Sequence, residues 1–293
     1  MPSAAEFFST WGFAPWPVLL AVLLGGLYLW GRARVPDWPL WRTLAFLLLG
    51  LGGYLVVSCG FLGFYAGALR WAFVLKFALL LFVIPLLMAL GDPLRLAGLA
   101  IPQGELRRQL ARIVRWPLAV LGNAVVAPLV GLILFSLMLT PLAGFMRLSP
   151  GFEAAGSVLT PLLGLAMVLP LASTTKRVAS AVLLLEFLFA FIELLADAIP
   201  GIFLRLADTV LDGVGPAPGT LPRPWFPQAL RDQQLAGDWL WFVAEAADLP
   251  LLILLVMRFA RTERRERAEV DALSDDELEA LTQAHLGRTS DAS

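Results

Sequence analysis

The sequence predicts an all-α polytopic membrane protein with seven transmembrane helices, its N-terminus outside and its C-terminus cytoplasmic. Three observations carry that prediction. Apolar residues make up 59% of the 293 and mean hydropathy is +0.78, whereas soluble domains hold about half apolar residues. Those residues fall in runs of roughly 20, enough to cross about 30 Å of hydrocarbon at a helix rise of 1.5 Å. The cations between the runs are shared unevenly.

Seven runs read as spans, at about 15–31, 40–60, 71–91, 117–140, 154–172, 178–204 and 238–259. One set of connections holds Arg32, Arg34 and Arg42, then Arg95, Arg107, Arg108, Arg112 and Arg115, then Lys176 and Arg177, then an arginine-rich tail from Arg258. The alternate set holds Arg70, Arg147, Arg205, Arg223 and Arg231 over a longer total length. Cytoplasmic loops carry the excess of cations, so the first set is expected inside. An odd number of spans agrees with termini on opposite sides.

Outside the spans, residues 1–14 (MPSAAEFFSTWGFA) form a short outer segment, with aromatics suited to the interface. No cationic region precedes the first span, so no cleaved signal is expected. In QGELRRQLARIVRW, Leu106, Leu110, Ile113 and Val114 share one face, which predicts an interfacial helix at about 103–115 on the cytoplasmic leaflet. The outer connection 205–237 contains DGVGPAPGTLPRPWFP, a Gly/Pro-rich candidate contact surface. The charged tail 261–293 includes SDDELEAL, the capped start of a short helix.

Lys76 is one of only two lysines, and it falls inside the third span. A lone charge there costs roughly 2.5–3.5 kcal/mol at mid-bilayer, so an intramembrane ionisable group needs a partner or water. Five carboxylates share the apolar spans. Glu186, Glu193 and Asp197 fall within about 20° on the sixth helix at 100° per residue, and Glu245 and Asp248 are neighbours on the seventh. The topology puts Lys76 about 8 Å from the outer surface, counting 1.5 Å per residue. The expected ionic cluster therefore pairs Lys76 with Glu193, Asp197 or Glu245, either as a packing device or as a polar cavity open to the outside.

Several chemistries are excluded. The single histidine, His285, sits in the polar tail, so bis-histidine haem ligation and HExxH zinc chemistry have no ligands in the spans. The single Cys59 cannot form an internal disulfide. No phosphate loop, nucleotide fingerprint or paired-cysteine motif is present, and no nucleic-acid partner is expected. Copper keeps three soft candidate ligands, Cys59, Met138 and Met146, each near an outer span end.

The run 42–95 contains RWAFVLKFALLLFVIPLLMALGDP, with a third span closing on Pro-Leu-Leu and then Leu-Gly-x-Pro. The run 232–271 opens DQQLAGDWLWFVAEAADLP, placing Asp232, Gln233, Gly237, Trp241 and Glu245 before an arginine-rich exit, and YLWGRAR occupies 28–34. In these motifs, their order and their spacing, the chain resembles the CtaG-type cytochrome c oxidase assembly proteins. The resemblance implies a seven-span protein of the bacterial cell membrane, without catalysis. Such a protein assists assembly of, or associates with, a haem-copper cytochrome c oxidase. It also implies a His-Met-x-x-His pattern in the third span; here the two positions are Phe73 and Phe77. Phenylalanine cannot ligate, so copper is not carried over, and Lys76 is expected to replace the charge of a lost metal. Two other functions compete with this one. The first is a cation- or proton-coupled carrier using the Glu186–Glu193–Asp197 stripe, and the second is a copper-handling protein with thioether and carboxylate ligands.

Overall fold

The structure, a computed structural model, describes residues 2–123, 126–173, 198–215 and 223–271. All regular elements among them are helical. The order is α1 (Ala4–Ser9), α2 (Pro15–Ala33), α3 (Leu40–Tyr65), α4 (Arg70–Ala89), α5 (Pro93–Ala100), α6 (Glu105–Leu121) and α7 (Val126–Ser136). Then come α8 (Pro141–Leu148), α9 (Pro150–Ser173), a helical segment at 198–206 and α10 (Ala229–Asp271).

Among the described residues four helices are long and apolar enough to cross a membrane, namely α2, α3, α4 and α9 over Pro150–Pro170. A fifth arises if Arg107–Leu121 and Val126–Leu139 count together, but that pair bends by 73°. The expected straight span at 117–140 is thus broken. Its first residues belong to α6, and the apolar run proper starts at Val126. The sixth expected span falls largely on 174–197, outside the described residues. The seventh lies within α10, which starts at Ala229, so the expected outer loop 205–237 is helical over its last turns.

Large apolar side chains face outward along α2 and α3, including Leu19, Val22, Leu23, Leu27 and Leu48. So continuous an exposed apolar band marks a lipid-facing surface. The buried core lies between α3, α4, α9 and α10, around Tyr54, Leu80, Leu81, Met88 and Leu240.

Contacts between helix ends fix the relative directions. At one end, Gly12 N–H donates to the Cys59 carbonyl at 2.7 Å, and Arg70 N–H donates to Asp232 at 2.8 Å. At the other, Tyr28 donates to the Gly91 carbonyl at 2.7 Å, and Arg42 pairs with Asp92 at 2.8 Å. It follows that α2, α4 and α10 start together at the Arg70 end, while α3 runs back. α9 runs parallel to α4, because Glu153 meets Lys76 and Gly164 meets Leu81 and Pro85. A Cβ at Gly164 would overlap the Leu81 carbonyl, so only glycine permits this close crossing.

Candidate functional site: two ionic centres on one face of α4

Residues 70, 73, 77 and 80 recur at helical spacing on one side of α4. They line two adjoining cavities. Phe73 belongs to the wall of both.

The first centre sits where α4 begins. No residue preceding α4 caps its first turn. Asp232 does so from α10, accepting from the N–H groups of Arg70 at 2.8 Å and Trp71 at 3.1 Å. The Arg70 guanidinium reaches Asp212 at 2.7 Å and Asp232 at 3.6 Å. It also donates to the Val214 carbonyl. From α8, Arg147 reaches Asp212 at 3.3 Å and donates to the carbonyls of Gly67 at 2.6 Å and Gly215 at 2.8 Å. All four charged residues are buried. Burial pushes the Asp232 carboxyl above its ordinary range, opposed by the two N–H groups and by Arg70. Burial also lowers the Arg147 guanidinium, opposed by Asp212. The two arginines and two aspartates balance in charge, which makes this centre a clamp holding the loop at 212–215 over a cavity of about 20 Å³.

The second centre lies deeper along α4. Lys76 is 5% exposed, and its ammonium donates to Glu153 Oε1 at 2.6 Å and to Ser157 Oγ at 3.0 Å. The Ser157 hydroxyl in turn donates to the same Glu153 oxygen at 3.1 Å. Glu153 and Ser157 stand four apart on α9, so one helix face presents both. These polar groups open onto a cavity of about 30 Å³ walled by Phe73, Phe77, Leu80, Met146 and Phe152.

Lys76 is therefore paired, but its partner among the described residues is Glu153, which was not among the expected acids. Glu245 accepts from the Trp241 indole N–H instead, one turn away on α10. Glu186, Glu193 and Asp197 lie outside the described residues, as does the side chain of Asp248. The three candidate soft ligands are not brought together. Met138 lines the first cavity, Met146 lines the second, and Cys59 is buried and lines neither. Among the described residues no three His, Cys, Asp or Glu side chains come close enough to hold a metal.

The class defined so far is an all-helical membrane protein, with ionic groups set along one face of an apolar helix. Residues 26–262, well over half of the chain, match the family model of the cytochrome c oxidase caa3 assembly factor (Caa3_CtaG), and the chain belongs to that family. No curated protein and no solved structure matches it.

A metal at the two third-span positions does not fit the side chains present. Phe73 and Phe77 have no lone pair to give, and the Lys76 ammonium beside them repels a metal cation. Glu153, Ser157 and Met146 remain, with the carboxylate already engaged by Lys76.

Proposed function

We propose that this chain assists assembly of a haem-copper cytochrome c oxidase in the bacterial cell membrane, acting by docking and not by catalysis. In this reading the Arg70 end faces outward, all seven predicted spans cross the bilayer, and the arginine-rich connections lie in the cytoplasm. The Lys76–Glu153 pair stands in the place of a histidine-bound metal, so the cation the cleft needs is built into the fold. The observation that carries this reading is the position of Phe73 and Phe77. Both side chains line the cavity onto which Lys76 and Glu153 open. A docking role also suits the loop clamped by Arg70 and Arg147, which is held over the adjoining cavity.

The test is affinity purification of the full chain from its own membranes in mild detergent. Oxidase subunits should co-purify in stoichiometric amounts. Recovery of the chain without them, under conditions that keep the oxidase intact, contradicts the role.

A further inference from the structure

Both ends of α6 sit at the same end of the bundle. A Cβ at Gly31, near the close of α2, would stand 3.3 Å from Leu96 and 3.7 Å from Ala100, so α5 packs there. Residues 101–104 then lead directly into α6. Its last residue is followed by Gly122, where an added Cβ would overlap the Pro170 ring in the final turns of α9. This is the end marked by Tyr28 and Gly91, opposite Arg70. A helix of 17 residues is about 25 Å long, so α6 runs across that end and not through the bundle. The bend of 73° into the following apolar helix belongs to the same turn.

The faces of α6 differ in kind. At 100° per residue, Arg108, Arg112 and Arg115 fall within about 60° of one another, while Ile113 and Val114 lie more than about 120° from their centre. All three arginines are exposed, and Ile113 is 69% and Trp116 72% exposed. Among the described residues the cluster makes a single ion pair, Arg108 to Glu105 at 3.6 Å, with both side chains largely in solvent. The imbalance extends over this end, where residues 32–42 and 92–115 hold eight arginines and three acids. One of those acids, Asp92, is already taken by Arg42.

Unpaired arginines alone would suit any polyanion, and an open apolar face alone would suit any hydrophobic partner. Both together, on a helix lying across the ends of membrane-crossing helices, fit the layer where lipid phosphates meet hydrocarbon. A cation close to an anionic bilayer strengthens attachment by about fivefold, so three of them select strongly for lipids of net negative charge.

We propose that α6 binds anionic phospholipid of the adjoining leaflet, with Arg108, Arg112 and Arg115 on the headgroups and Ile113 and Val114 in the acyl boundary. This goes beyond assembly docking and does not depend on it.

The test titrates the full chain, in an uncharged detergent, with dioctanoyl phosphatidylglycerol and separately with dioctanoyl phosphatidylcholine. The readout is Trp116 emission, taken as the difference between the parent chain and Trp116→Phe. Phosphatidylglycerol should shift it saturably and bind at least tenfold more tightly than phosphatidylcholine. The triple variant Arg108→Gln/Arg112→Gln/Arg115→Gln should lose that preference, while Ile113→Ser should weaken both lipids alike. Sodium phosphate at the same charge should leave the emission unmoved. Equal affinity of the parent for the two lipids, or a preference retained by the triple variant, overturns the surface. An equal shift by sodium phosphate overturns lipid as the source of the anion. A shift by polyglutamate without one by phosphatidylglycerol also overturns it, and assigns α6 to an acidic protein. The comparison of the two lipids needs only the parent chain, so it decides the matter even where the triple variant fails to fold.

Discussion

The Lys76 ammonium and the Glu153 carboxylate meet at 2.6 Å between α4 and α9, with the lysine enclosed and the acid at the rim of a cavity. This asymmetry governs what either group costs when its partner is removed. An orphaned buried ion costs several kcal/mol, while an orphaned ion that reaches water costs far less.

Glu153→Gln should therefore destabilise the protein by about 2–4 kcal/mol, because it strands the enclosed lysine. Lys76→Met should cost only about 1–2 kcal/mol, because the remaining carboxylate already faces the cavity mouth. The double variant should cost less than the sum. Unfolding in mixed micelles measures all three, and a larger loss for Lys76→Met than for Glu153→Gln contradicts the assignment.

Asp232 caps α4 and faces Arg70, so it serves two elements at once. Asp232→Ala should cost about 2–4 kcal/mol, since it strands two N–H groups and half-frees a buried guanidinium. Asp232→Asn should cost less because its amide oxygen still accepts. Equal losses in the two variants would mean that charge alone matters at this position.

Two glycines on α9 should behave in opposite ways. At Gly164 an added side chain meets the Leu81 carbonyl and Pro85, so Gly164→Leu should lose folded yield, by about 3 kcal/mol or more. At Gly156 nothing lies within 4 Å of an added Cβ, so Gly156→Leu should stay within about 1 kcal/mol of the parent. Thermal unfolding in detergent distinguishes them.

The pH dependence of the N-terminal contact follows from Glu6. Its carboxylate accepts from Ser3 N–H at 2.9 Å and from the Trp225 indole at 3.0 Å. The Ser3 backbone N–H holds its pKa below the usual 4.5, and the Ser3 hydroxyl and Trp225 act the same way. A lowered carboxylate contributes stability above its unfolded value and loses it as pH falls through the folded one. Glu6→Gln should thus be less stable than the parent at pH 7, with the difference vanishing as pH falls below 4.5. A difference that persists in acid would place the effect elsewhere.

Hydropathy alone marked α2, α3, α4 and α9, because lipid-crossing helices must be apolar over their whole length. It also marked Lys76 as paired, since an unpaired lysine there is expensive. The partner found among the described residues was hidden by a boundary of one residue. With the fifth span read from 154, Glu153 fell one residue outside the predicted spans, whereas α9 begins at Pro150 and includes it. The signal was present in Glu153 and Ser157, four apart on one helix face. The clamp of Arg70, Arg147, Asp212 and Asp232 read as loop charges for a different reason. Its bonds join residues 65 to 162 positions apart, and no local period encodes such closure. The bend before Val126 was also missed, because apolar periodicity records burial and not the angle between successive helices.

The most direct test is spectroscopic. Membranes from cells lacking this chain should lose the oxidase haem absorbance in reduced-minus-oxidised spectra. The parent gene should restore it, and Gly156→Leu, folded but with its cavity filled, should not. Undiminished oxidase in cells without the chain would contradict the assembly function, and full rescue by Gly156→Leu would remove the cleft from it.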